Sequence, residues 1–352
     1  MADKKYRVGI CGATGLVGGE MINSLLERKF PVSELKLYAS ENSVGEEIEF
    51  GTKSIKVEQL KPEVFKSANL DFVLFATSAE LSAEFVPHAA QSGAICIDNS
   101  SHFRMSPEVP LVVPEVNPDD IEWASQHRVI ANPNCSTIQL VCCLKPLHDK
   151  NPLKRVVVSS YQSVSGAGAD ALDELQSQVG KLFSSEDIQP KVFPHQIAFN
   201  CIPQIDKFLP NGFTKEEMKI IEESRKILGA PDLKITATAV RVPTLISHSE
   251  SVNLEFGSEM SPDEARALLD EAGVIVMDLP EKSLYPMGFQ TTGRDEVFVG
   301  RVRKDESVPH GLHLWVVADN LRKGAATNAV QIAEVCLERD FVSSWKPAAR
   351  AS

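Results

Sequence analysis

Arg7-Val8-Gly9-Ile10-Cys11-Gly12-Ala13-Thr14-Gly15-Leu16-Val17-Gly18 is a short apolar run that passes directly into glycines spaced three apart. Beyond it, Met21, Ile22, Leu25 and Leu26 recur at the spacing of one helix face. Strand, tight turn and helix in that order form the first βα unit expected of a dinucleotide-binding fold. The glycines permit a sharp turn and close backbone approach, and the helix N-terminus offers N–H groups to a pyrophosphate. Gly12, Thr14, Gly15, Leu16 and Val17 are the expected contacts. A glycine string by itself also fits a turn that merely packs.

The alternation continues outward from this unit. Strands are expected at 35–39, 72–76 and 95–98, with a helix over 79–91. Apolar strands alternating with helices predict a parallel, doubly wound sheet. After Asn132 the pattern changes to a helix over 136–147 and to strands with β-branched or alternating content at 155–162, 235–242, 251–256, 297–302 and 312–318, with an amphipathic helix at 262–272. The fold class is therefore α/β: an N-terminal Rossmann-like dinucleotide-binding domain, 1–132, followed by an α+β domain, 133–319. A last helix within 320–340, apolar at Ala329, Ile332, Ala333 and Cys336, completes the first domain, and 341–352 reads as a tail.

Composition excludes several classes. The 352 residues carry 36 Lys and Arg against 48 Asp and Glu, a net charge of −12 and a pI near 5.2, which argues against a nucleic-acid surface. No run of about 18 apolar residues and no secretory leader pattern appears, so no membrane span and a cytoplasmic location are expected. Seven cysteines, with no CxxC or Cys/His spacing, argue against a disulfide framework and against a metal site.

One cysteine stands apart. Asn132-Pro133-Asn134-Cys135-Ser136-Thr137 puts Cys135 in the first turn of a helix, where the helix dipole favours a thiolate. The other six read as core thiols. A thiolate beside a nicotinamide site suits aldehyde oxidation through a thioester, and the helix N–H groups at Cys135 are expected to serve as oxyanion donors. Arg241-Val242-Pro243-Thr244-Leu245-Ile246-Ser247-His248 supplies a cation and an acid/base group at the end of a strand. The stretch from Glu216 to Arg225 reads, on charge alone, as a solvated helix face. After the second strand, Ala39-Ser40-Glu41-Asn42-Ser43 offers hydroxyls and an amide to the adenosine end of a cofactor but no Arg for a 2′-phosphate, which leaves NADP and NAD both open.

Taken together, the strings identify a resemblance. Residues 12–18 match G-A-T-G-x-V-G, 132–137 match N-P-N-C-[ST]-T, 197–206 (IAFNCIPQID) match I-A-F-N-x-I-P-x-I-D, 241–250 match R-V-P-x4-H-S-E, and 319–325 read DNLRKGA. In that order they resemble the bacterial-type aspartate-semialdehyde dehydrogenases along nearly the whole chain. The resemblance implies that Cys135 is the nucleophile, His248 the acid/base and Gln162 the group that orients the acyl-enzyme. It implies Arg241 for the substrate carboxylate, Glu216 for its ammonium, and Lys219 and Arg104, with Asn134 beside them, for phosphate. Ser165, Gly166 and Asn320 would face the nicotinamide, and Ser40, Asn42 and Ser43 the adenosine end. NADP is the implied cofactor, with NAD possible because Asn42 stands where Arg is common. A homodimer or homotetramer is implied, with the second domain both catalytic and dimerising. The substrate would be a small molecule, with inorganic phosphate as co-substrate, in lysine, threonine and methionine biosynthesis. Two other readings remain: a reductase resembling N-acetyl-gamma-glutamyl-phosphate reductase, and a non-catalytic dinucleotide-binding paralogue.

Overall fold

The structure, a computed structural model, describes residues 4–341, so the expected tail beyond Phe341 lies outside the described residues. The chain divides into two compact units, Met1–Pro133 with Ala325–Ser352, and Asn134–Gly324. In chain order the first contains β1 (Tyr6–Cys11), α1 (Leu16–Glu27), β2 (Val32–Ala39), β3 (Glu47–Phe50), β4 (Lys53–Gln59), α2 (Pro62–Ala68), β5 (Phe72–Phe75), α3 (Ala79–Gln91), β6 (Ile95–Asp98) and β7 (Val129–Ala131). The second contains α4 (Cys135–Lys150), β8 (Leu153–Gln162), α5 (Ala169–Phe183), α6 (Lys215–Ile227), β9 (Lys234–Arg241), β10 (His248–Phe256), α7 (Pro262–Glu271), β11 (Ile275–Val276), α8 (Gly288–Thr291), β12 (Phe298–Asp305) and β13 (Gly311–Ala318). The chain then returns to the first unit as α9 (Thr327–Glu338).

The first unit's sheet has the order β3-β4-β2-β1-β5-β6-β7. Every pair is parallel except the β3/β4 hairpin. β5 and β6 are buried along their whole length, as strands covered on both faces must be. Val8, Ile10, Met21, Leu25, Phe72, Leu74 and Ile97 share one core with Ala329, Val330 and Ala333 of α9. An Arg28–Glu334 ion pair at 2.7 Å ties α1 to α9 at its rim. The order reverses across β1, whose C-terminal end feeds the glycine turn, and ligands of open α/β sheets bind at such a switch point.

The glycines of that turn are not equivalent. Gly12 has a φ of +83°, and a Cβ there would lie 2.3 Å from the Ala76 carbonyl oxygen. A Cβ on Gly18 would lie 2.1 Å from the Gly12 carbonyl oxygen. Gly15 is different: its Cβ would meet nothing closer than Gly12 O at 3.4 Å. Packing therefore demands Gly12 and Gly18, whereas the space above Gly15 stays open.

The second unit is built on a mixed sheet of order β11-β12-β13-β10-β8-β9. Burial alternates strictly along β9 and β10, so one face is covered and the other is partly open. Tyr161 and Trp315 pack with tilted rings, their centroids 5.6 Å apart.

Several elements gave no usable sequence pattern, namely β3, β4, α2, β7 and α5. Within the expected 320–340 the last α-helix begins only at Thr327, because Arg322–Ala326 winds as a π turn. Cys201 is exposed, so the expected set of six core thiols reduces to Cys11, Cys96, Cys142, Cys143 and Cys336. Among the described residues no helix is long and apolar enough to cross a membrane.

Gly18→Ala should lower unfolding stability by about 2 kcal/mol or more through overpacking, and Gly15→Ala should leave it within about 1 kcal/mol. Urea unfolding of both variants checks this, and equal losses would contradict the contrast.

Candidate active site

Cys135 is the first residue of α4, and Asn134 caps the helix from an extended conformation with its Oδ1 accepting from the Ser136 and Thr137 N–H groups. This corrects one expectation: those two N–H groups are taken by the cap and do not face an oxyanion. Asn134 is in turn gripped twice by α6. Its backbone N–H donates to Glu223 Oε2 at 2.7 Å, and its side-chain amide donates to Glu216 Oε1 at 2.9 Å. Cys135 itself is only partly covered, unlike the buried thiols of its own helix, Cys142 and Cys143.

The charged stretch expected to be a solvated face is buried instead. Glu216, Glu217 and Glu223 of α6 are all covered, alongside Ile220, Ile221 and Ile227. Thr214 and Glu217 form a capping box, and Glu217 also accepts from the Ala239 N–H of β9 at 3.0 Å. The sequence analysis missed this helix start, for which the T-x-x-E spacing is the signal. Glu223 carried no such signal. Glu216 accepts from Asn134, from Gln162 Nε2 at 3.2 Å and, through Oε2, from Lys219 Nζ at 3.1 Å. Burial pushes its carboxyl up, but the Lys219 charge and these hydrogen bonds outweigh it and hold it down at about 2. Lys219 is shared with Asp206, also at 3.1 Å. The structure thus brings four of the expected residues, Asn134, Gln162, Glu216 and Lys219, into one hydrogen-bonded group.

A second group surrounds His248. The Ser163 N–H donates to His248 Nδ1 at 3.1 Å, and Arg241 Nη1 donates to the Ser163 carbonyl at 2.6 Å. A backbone N–H can only donate, so Nδ1 accepts and the ring proton sits on Nε2. That atom is buried and has no hydrogen-bond partner among the described residues. Burial, then the charge of Arg241, pulls His248 down to about 3, so the ring is neutral at physiological pH. Gly166 lies against both residues: a Cβ there would be 2.9 Å from Arg241 Nη1 and 3.2 Å from His248 Nε2. Arg241 feels the sulfur of Cys135 and the carboxylate of Glu216, and Gly324 is so close to Cys135 that a Cβ would meet the cysteine Cβ at 3.0 Å.

Asn320 is placed otherwise than expected for a ligand contact. Its Oδ1 accepts from the Ser247 N–H and from the Ser163 and Ser165 hydroxyls, and its amide donates to Ser165. It holds the Ser247 turn, where φ is +74°, from which His248 enters β10.

In the first unit, Ser43 donates to the Thr14 hydroxyl at 3.3 Å, joining the two expected cofactor segments. Ser40 precedes the short turn Glu41–Ser43, which carries Asn42, with its side chain not bonded to that turn. Helix α1 opens on Gly15 without a side-chain cap, and the open space above Gly15 leaves its first turn accessible. These features fit the pyrophosphate and adenosine of a dinucleotide. Arg104 is buried, with Nε on the Asn132 carbonyl at 2.9 Å and Nη2 on the Asn99 carbonyl at 2.8 Å.

Comparison with known proteins places the chain in a family. Residues 7–124 match the semialdehyde dehydrogenase NAD-binding domain, and residues 144–323 match the semialdehyde dehydrogenase dimerisation domain. The aspartate-semialdehyde dehydrogenase of Aquifex aeolicus is 52% identical over 96% of this chain and 99% of its own, and that of Campylobacter jejuni is 47% identical over 95% and 98%. The crystal structure of aspartate semialdehyde dehydrogenase II from Vibrio cholerae complexed with ASA superposes with a TM-score of 0.93 at 44% identity, covering 96% of this chain and 100% of that one. The chain belongs to the semialdehyde dehydrogenase family, a class of α/β oxidoreductases. Within that class its high-identity relatives are aspartate-semialdehyde dehydrogenases.

Two groups in the site link stability to acid. The unfolded chain protonates its histidine near 6.5, but the folded chain resists until about 3. The stability this gives is complete above pH 6.5 and drains away as pH falls toward 3. Glu216 adds a second loss between its ordinary 4.5 and about 2. His248→Gln should flatten the first decline in urea-unfolding stability measured against pH. An unchanged slope between pH 6.5 and 4.5 would count against a buried neutral ring.

Proposed function

We propose that this protein catalyses the reversible, phosphate-dependent oxidation of L-aspartate 4-semialdehyde to L-4-aspartyl phosphate, with NADP as cofactor and a thioester on Cys135. The observation that carries this reading is the convergence of a partly exposed Cys135 with a neutral His248, whose Nε2–H has no partner, and with Arg241. The substrate named for the relatives is a zwitterion, and the second unit has a counterpart for each of its charges. Arg241 binds the carboxylate with its planar fork, and Glu216 faces the ammonium.

Cys135 thiolate adds to the aldehyde carbon, and the oxygen that becomes an alkoxide accepts a hydrogen bond from His248 Nε2–H. Nδ1 stays occupied by the Ser163 N–H, so His248 acts in its resting tautomer as donor to the oxyanion. Loss of hydride from the same carbon leaves the thioester, with Gln162 orienting its acyl group. Phosphate, for which Lys219 is the cation in the second unit and Arg104 the further cation that the resemblance implies, then attacks the acyl carbon, and the thiolate departs. A bound nicotinamide would supply the hydride acceptor in this direction and the hydride donor in the biosynthetic one. Gly12, Thr14, Gly15, Leu16 and Val17 would hold its pyrophosphate, Ser40, Asn42 and Ser43 its adenosine end, and Ser165 and Gly166 its nicotinamide side. Asn320 would act behind them by fixing Ser165. The dimerisation-domain match supports an assembly of at least two copies, and the biosynthetic role implied by the relatives' names supports action in the cytoplasm.

Cys135→Ala should abolish turnover with aspartate semialdehyde, phosphate and NADP while cofactor binding persists. Appreciable residual rate would overturn the covalent route, and faster turnover of N-acetylglutamate semialdehyde would favour the related reductase. Asn42→Arg should tighten NADP about tenfold relative to NAD by adding a charge-assisted contact, read as the ratio of the two KM values. An unchanged ratio would place the 2′-phosphate elsewhere.

A further inference from the structure

Directly beneath the site lies a second layer of polar side chains that the reaction does not use. On α4, Gln139 is one turn below Cys135 on the same helix face. On β10, Glu250 is two residues below His248 on the same covered face, and on β8, Ser160 is two residues below Gln162. Glu250 and Ser160 are direct cross-strand partners, and Val316 of β13 flanks Glu250 on the other side. Each expected catalytic residue thus stands on one member of a lower rung, and Gln162 reaches down to the Ser160 hydroxyl at 3.3 Å.

Two members of this rung are anomalous. Glu250 is 0% exposed and Gln139 1% exposed, and none of their four side-chain polar atoms has a hydrogen-bond partner among the described residues. Four orphaned atoms on buried side chains are too costly to persist. The Gln139 carboxamide is the polar neighbour of the Glu250 carboxyl, and Cys143, one further turn along α4, is the titratable group beside it. A carboxylate offers only acceptors, which would satisfy the amide N–H but leave the amide carbonyl facing like charge. A carboxylic acid satisfies everything: its O–H donates to Gln139 Oε1, and its carbonyl accepts from Gln139 Nε2.

We propose that Glu250 is a neutral carboxylic acid closed in a two-hydrogen-bond ring with Gln139, and that this ring fixes the helix carrying Cys135 against the strand carrying His248. Burial independently pushes the Glu250 carboxyl well above the ordinary carboxylate range. Glu250 is then a positioning residue, acting through the two groups above it.

The kinetic arm of the test rests on the proposed reaction, whereas the stability and infrared arms do not. Glu250→Gln can close the same ring as an amide pair, so its kcat should stay within threefold of wild type. Glu250→Leu and Gln139→Leu should each lower kcat at least tenfold with little change in KM, and the double variant should be no worse than either. Because the acid must stay protonated in the folded state only, the folding equilibrium constant of Glu250→Gln relative to wild type should rise by up to tenfold per pH unit above the ordinary carboxylate range. Wild type minus Glu250→Gln infrared spectra should show a protonated carboxylic-acid carbonyl band at neutral pH. A carboxylate band, or a pH-independent stability ratio, would overturn the neutral acid. Full activity in Glu250→Leu, or equal losses in Glu250→Gln and Glu250→Leu, would overturn the positioning role. Wild type inactive toward aspartate semialdehyde, with the infrared band present, would instead overturn the proposed reaction alone.

Discussion

Glu216 gives up nearly all of its contact with water and keeps its charge, and the second unit's site is arranged around that exchange. A buried carboxylate is tolerable only with charge and hydrogen bonds directed at it. Here Lys219 supplies the charge, and Asn134 and Gln162 supply donors from two other elements. The same carboxylate therefore joins the cap of the helix that starts at Cys135, the end of β8 and its own helix. Glu223, two turns along α6, grips the backbone of the residue that Glu216 grips by its side chain. Removing either carboxylate would release the position of Cys135 as well as a charge.

The site is close to electrically balanced before any ligand arrives. Lys219 and Arg241 face Glu216 and Asp206, so the unit does not present a bare cationic sink. Selectivity in such a site comes from geometry, because a ligand must offer its own charges in the order in which the protein's are fixed. His248 follows the same logic: it is kept neutral, and its one free proton is aimed into the site.

Much of this was legible because local patterns carry local geometry. The glycine turn, the helix over Ala79–Gln91 and the strand at Ile95–Asp98 were readable from periodicity and punctuation. Cys135 was readable from its place after Asn134. What was not legible depends on contacts far apart in sequence. Charge alone could not reveal that α6 buries its acidic face, since the partners of those acids come from three other segments. Nor did the sequence indicate that Asn320 would spend its carboxamide on Ser163, Ser165 and Ser247, or that the Asn134 cap would use the N–H groups expected to face an oxyanion. The hairpin β3/β4 escaped notice for the opposite reason, being short, charged and largely exposed.

The span of these contacts also bears on how the site comes into being. Asn134 meets Glu216 across 82 positions, Ser163 meets His248 across 85, and Ser163 meets Asn320 across 157. Loop closures of that length come late in folding, after helices and adjacent strand pairs have formed. The start of α4 at Cys135 is held by the local Asn134 cap, whereas the groups around it, from α6, β8 and β10, join it only as these closures are made. The position of the thiol is thus set by a short segment and its surroundings by the whole of the second unit.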